Sequence, residues 1–128
     1  MARALIVEDE QDIRDLLTMT VAEHGYEAEA AANGREALRA LCDATAADKL
    51  FDVILLDISM PDVNGWRVLA AIQANPLWEN ITVIVVTGAA GTAAEITTMA
   101  QHGALYVDKG TDYLSYMGAM LDRLAPPE

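Results

Sequence analysis

Cationic side chains are scarce in this sequence. Lys and Arg total 8 against 20 Asp and Glu, a formal net charge of −12. That balance excludes a domain that binds nucleic acid directly, because phosphate recognition needs clustered Lys and Arg. It equally excludes attraction to an anionic membrane surface. There is one cysteine, Cys42, which rules out a disulfide framework and a thiolate zinc cluster. No apolar run approaches the roughly 20 residues of a membrane span. The opening MARALIVEDE turns acidic too soon for a signal peptide. Apolar residues are not scarce: at 53% of 128 residues they suffice for one packed core. The composition predicts a soluble, acidic, cytoplasmic single domain.

Short apolar runs alternate with longer amphipathic stretches. The runs lie at residues 4–7, 26–30 (the weakest), 51–56, 82–86 and 104–107, and three are nearly continuous in Val, Ile and Leu. Such runs predict parallel strands buried on both faces. Between and after them, Ile13, Leu16, Leu17 and Val21, then Leu114, Met117, Leu121 and Leu124, recur at helical spacing. Shorter helical stretches fall at about 35–42, 66–75 and 93–101. Asn33 with Glu36, and Thr92 with Glu95, have the spacing of a helix N-cap and its reciprocal acid. His24-Gly25 and His102-Gly103 read as helix ends, with histidine at the negative pole of the dipole. Pro76 follows Asn75, where a helix should stop. Five strands and five helices in strict alternation predict an α/β fold with a parallel sheet covered on both faces. Cys42 reads as a small packing residue, and Trp66 and Trp78 as packing beside the third helix.

In open parallel sheets, ligands gather at the carboxyl ends of the strands. Here strand 1 ends in Glu8-Asp9, strand 3 in Asp57, strand 4 in Thr87 and strand 5 in Asp108-Lys109. Glu8, Asp9 and Asp57 therefore meet at one edge with a hydroxyl and an ammonium. Carboxylates about 4 Å apart repel by about 4 kcal/mol per pair at an effective dielectric near 20. A bound cation relieves that repulsion, and oxygen-only donors suit Mg²⁺. A carboxylate beside a metal and a lysine can also act as a nucleophile and form an acyl phosphate.

Glu8-Asp9, DISMPDVNG from Asp57 to Gly65, Thr87-Gly88 and Lys109 resemble, in order and spacing, the receiver domain of two-component response regulators. The resemblance spans essentially the whole chain. It implies a doubly wound, flavodoxin-like sheet of order 2-1-3-4-5, with the receiver at 1–124 and a tail or linker start at 125–128. It also implies that Asp57 accepts a phosphoryl group from a histidine kinase or phosphotransfer protein in a Mg²⁺-dependent reaction. The metal would be held by Asp9, Asp57, Glu8 through water, and the backbone carbonyl of Ser59. Thr87 and Lys109 would contact phosphoryl oxygens. Tyr106 would be the aromatic switch that follows Thr87, and Pro61 and Gly65 would shape the acceptor loop. The implied product is a phosphorylation-controlled switch whose only chemistry is on itself, signalling to a downstream protein or output domain.

Two departures from the family pattern stand out. The acidic pair is Glu-Asp rather than Asp-Asp, and Gly110 replaces the proline that usually follows the lysine. A cis bond before a non-proline residue costs about 2.5–4 kcal/mol, so a trans Lys109-Gly110 peptide is expected. Gly110 is also the one feature favouring the alternative of a degenerate receiver that acts as a phosphorylation-independent interaction module. A haloacid dehalogenase-type phosphatase would want a second aspartate at Ser59. A flavin carrier would want a Ser/Thr/Gly-rich loop after strand 1.

Overall fold

The structure, a computed structural model, describes residues 2–57, 65–87, 104–108 and 113–124. Strand β1 (Arg3–Val7) leads into helix α1 (Gln11–Glu23), then β2 (Glu27–Ala31) and α2 (Gly34–Ala46). β3 (Val53–Leu56), α3 (Gly65–Ala74), a 3-10 turn (Pro76–Trp78) and β4 (Thr82–Thr87) follow. β5 (Leu105–Asp108) and α4 (Tyr113–Leu124) complete the described elements. The helix expected at 93–101, the Thr92-Glu95 cap and His102-Gly103 lie outside the described residues.

The five strands form one sheet in the order β2-β1-β3-β4-β5. Every pairing is parallel, with Val7 opposite Ala31 and Leu56, Leu56 opposite Val85, and Thr87 opposite Asp108. Side chains alternate across the pleat, so one run of Val, Ile and Leu feeds two cores at once. Leu5, Val7, Ile54, Leu56, Val83 and Val85 pack with α2 and α3. Ala4, Ile6, Val53, Leu55, Ile84 and Val86 pack with Leu17 and Val21 of α1 and Met117 and Leu121 of α4. A sheet buried on both sides leaves its strand ends as the place for polar chemistry.

Local signals set the element ends. Asn33 caps α2 as the spacing predicts, its Oδ1 accepting from Glu36 N at 2.9 Å. The reciprocal bond differs: Glu36 Oε1 accepts from the backbone N–H of Ala32 at 3.2 Å rather than from that of Asn33, and Oε2 accepts from Asn33 Nδ2 at 3.3 Å. Asn75 is not the last residue of α3; it caps the 3-10 turn instead, accepting from Leu77 N at 3.0 Å. Gly25 takes φ +88° just after α1, a left-handed conformation that favours glycine. His24, expected only to face the dipole, places Nδ1 2.6 Å from Asp122 Oδ1 on α4.

Cys42 corrects the sequence reading: it is exposed. The buried stripe of α2 runs through Ala37, Leu41 and Ala44, and the residue after Leu41 is turned by about 100° away from it. Both tryptophans do pack as expected. Trp78 is buried, with Nε1 donating to Thr45 Oγ1 at 2.8 Å, and Trp66 lies against the α2/α3 core.

Candidate functional site

The sheet register carries the acid cluster into place. Glu8 and Asp57 each stand one residue beyond the last paired positions, Val7 and Leu56. The ladder runs on through them: Asp57 N donates to Val7 O at 3.0 Å and Glu8 N to Ala31 O at 3.1 Å. Asp9 follows in the turn before α1. Carboxylate oxygens of Glu8, Asp9 and Asp57 all lie within 4.8 Å of one another. Glu8 is 0% exposed and Asp57 6%, whereas Asp9 is open to solvent.

This is an all-oxygen donor set with two members withdrawn from water. Withdrawal strengthens their mutual repulsion, since less solvent screens it. A hard divalent cation fits that set on both charge and donor type. Glu8 Oε2 also accepts from the backbone N–H of Asp9 at 3.1 Å, so one acid orients the residue carrying the next.

The remaining sequence-predicted residues divide by position. Thr87 ends β4, and Tyr106 lies mid-strand in β5, paired with Val85 and partly packed against the α2/α3 core. β4 therefore ends beside the strand that leads to Asp57, and β5 ends one strand further out. Ser59, Pro61, Lys109 and Gly110, with the expected trans peptide between the last two, lie outside the described residues.

One residue at the site went unnoticed in the sequence. Arg14 of α1 places Nη1 2.9 Å from the carbonyl oxygen of Glu8 and 3.4 Å from that of Asp9. A cation five residues after an acidic pair is the only local signal for it. An amphipathic helix offers many such cations that do nothing but face water.

Residues 4–113 match the response regulator receiver domain family. The chain is similar to chemotaxis protein CheY4 of Vibrio cholerae, with 28% identity and a TM-score of 0.79 over 98% of this chain and 99% of that one. It is equally similar to response regulator TrrA of Thermotoga maritima, solved in complex with Mg²⁺-BeF: 28% identity and TM-score 0.79, covering 98% and 100%. Among full-length regulators, transcriptional regulatory protein PcoR of Escherichia coli is 38% identical over 57% of this chain. Response regulator MprA of Mycolicibacterium vanbaalenii is 27% identical over 98% of it. The chain spans 30% of the first and 53% of the second, roughly a third to a half of such proteins. No helix among the described residues is long and apolar enough to cross a membrane. Sheet order, the acid cluster at the strand ends and the match over most of its length agree: the chain belongs to the response regulator receiver domain family, the switch of phosphorylation-based two-component signalling.

Proposed function

We propose that Asp57 is the phosphoryl acceptor of this receiver and that Glu8, Asp9 and Asp57, with the carbonyl of Ser59, hold the Mg²⁺ the transfer requires. The observation that carries the reading is the convergence of three carboxylates within 4.8 Å, at the end of the sheet where α/β folds bind ligands. The Mg²⁺-BeF complex of the similar TrrA receiver supports the choice of ion. When bound, the cation supplies charge neutralisation for phosphoryl oxygens.

The chain's own residues account for the rest. Asp57 attacks phosphorus in line with a phosphohistidine; an O–P bond forms, the P–N bond breaks, and the imidazole nitrogen leaves. Burial of Asp57 to 6% exposure limits water around the acyl phosphate that results. Glu8, buried beside it, orients the turn that carries Asp9. Thr87 and Lys109 bind phosphoryl oxygens, and Tyr106 follows Thr87 as the charge near −2 is compensated. The donor is a sensor histidine kinase or phosphotransfer protein. The recipient of the signal is a downstream protein or an output domain, as the regulators similar to this chain suggest.

Incubation with Mg²⁺ and a small acyl phosphodonor tests the reading. An acid-stable, base-labile phosphoryl adduct, detected by mass spectrometry and lost in Asp57→Asn, is the expected result. A parent protein that takes no phosphoryl group while remaining folded would favour the interaction-module alternative. An undiminished adduct in Asp57→Asn would remove Asp57 from the role.

A further inference from the structure

We infer that Arg14 is a positioning residue of the acid cluster: held against the carbonyl oxygens of Glu8 and Asp9, its guanidinium fixes the turn that carries those two carboxylates and thereby sets the cluster's affinity for a divalent cation. The inference rests on the reading of Glu8, Asp9 and Asp57 as a cation site.

The decisive geometry is that of a single peptide unit, the one joining Glu8 to Asp9. Its carbonyl oxygen accepts from Arg14 Nη1 at 2.9 Å. Its N–H, which belongs to Asp9, donates to Glu8 Oε2 at 3.1 Å. A planar unit held at both its oxygen and its nitrogen is restrained from rocking. The orientation of that plane sets where Asp9 points its side chain and where the Glu8 carboxylate is drawn. The second contact, 3.4 Å to Asp9 O, extends the hold to the next peptide.

Glu10, at the N-cap position of α1, makes no side-chain cap. Arg14 is also the only base on α1, QDIRDLLTMTVAE, and it sits close to the positive pole of the helix dipole. A cation there works against the dipole, whereas acids favour that end. The location is therefore poor for the helix and good for the carbonyls of Glu8 and Asp9. A charged donor also makes a stronger hydrogen bond than a neutral one.

The test is a titration with Mg²⁺ alone, followed by NMR, on the parent chain and on Arg14→Met, Arg14→Lys and Asp9→Ala. Residues that orient metal ligands typically contribute a factor of 10–100 in affinity, so Arg14→Met should bind Mg²⁺ about tenfold more weakly. Arg14→Lys keeps a charged donor of similar reach and should recover most of that loss. Hydrogen exchange without metal supplies a second readout. The Asp9 amide should exchange several-fold faster in Arg14→Met, while amides in the centre of β3 stay unchanged. Arg14→Met binding Mg²⁺ like the parent, or Arg14→Lys as impaired as Arg14→Met, would overturn the inference even where Asp9→Ala loses binding as expected. An Asp9→Ala chain that binds like the parent, or a parent that binds no Mg²⁺, would overturn the cation-site reading and the inference together. Should Arg14→Met fail to fold, Arg14→Gln takes its place: the expected result is faster exchange at Asp9 and weaker Mg²⁺ binding than in Arg14→Lys, and parent-like values for both overturn the claim.

Discussion

The two ends of the sheet use carboxylates in opposite ways. At the amino end, Arg3 donates its backbone N–H to Asp52 Oδ2 at 2.8 Å and its guanidinium to Glu29 Oε2 at 3.2 Å and to the Lys49 carbonyl. The same guanidinium lies 4.5 Å above the Phe51 ring. Each acid there sits beside a donor from its own chain. At the carboxyl end, Glu8, Asp9 and Asp57 are brought against one another, and the nearby Arg14 is spent on backbone carbonyls. The amino end matches its acids with donors, whereas the carboxyl end gathers three acids within 4.8 Å of one another. One residue type is set beside donors at one end and gathered into a cluster at the other, and the residues placed around it make the difference.

Five substitutions break or sharpen that contrast, the largest effect first. Asp57→Asn should abolish the base-labile adduct entirely. In metal-free buffer it should also raise stability by roughly 1–3 kcal/mol, because one of three mutually repelling charges is gone. Urea unfolding at neutral pH checks this, and a fall in the midpoint would contradict the picture of mutual repulsion. Next comes metal affinity. Asp9→Ala should weaken Mg²⁺ binding by about a hundredfold, and Glu8→Ala, expected to act through water, by about tenfold. Equal affinities for both variants and the parent would refute the assignment.

At the amino end the expected effects are smaller and concern stability alone. Arg3→Ala should cost about 1–2 kcal/mol through the lost ring contact and hydrogen bonds, since the partly exposed Glu29 pair adds little. Its Mg²⁺ affinity should match the parent's; a change there would mean that the two ends are coupled. The smallest effect concerns Tyr26, whose hydroxyl donates to Leu121 O at 2.9 Å. Burial, then the charges of Asp52 and Asp122, push its ionisation above the usual value of 10.0. A phenol that ionises later in the folded state stabilises fully below its unfolded pKa. That contribution fades as pH climbs from about 10 through the raised folded value. Tyr26→Phe should therefore cost about 1 kcal/mol at neutral pH and flatten the alkaline decline in urea midpoints between about pH 9 and 11. An identical decline in both proteins would exclude Tyr26 as its source.

The strands were legible in the sequence because a strand buried on both faces needs an apolar run, and β1, β3 and β4 each carry four such residues in a row. The α2 cap was legible because Asn33 and Glu36 act within one turn. β2 was hard to see because an edge strand with Glu27 and Glu29 exposed carries little apolar signal. Cys42 was misread because one step along a helix changes the face, and a single residue does not reveal the helix phase. The acids of the site could be found by placing strand ends side by side, but the full burial of Glu8 beside an exposed Asp9 depends on how α1 and β3 pack around the turn. Arg14 and the His24–Asp122 pair escaped notice for a similar reason. The first acts on backbone oxygens, which sequence patterns do not display, and the second joins residues 98 positions apart.

Gly118 presents a trap for anyone improving this chain by rule. Glycine inside a helix costs about 1 kcal/mol relative to alanine, so propensity alone recommends Gly118→Ala in α4. A Cβ there would stand 2.9 Å from His24 Nε2 and 3.1 Å from its Cε1. The imidazole would have to shift, which disturbs its contact with Asp122 and works against the gain in propensity. Positions 24 and 118 thus form an epistatic pair, in which the order of substitution matters. Alanine at 118 becomes an improvement only after a smaller side chain has replaced His24, so a lineage or a design campaign that tries the glycine first would abandon a route that is open from the other side.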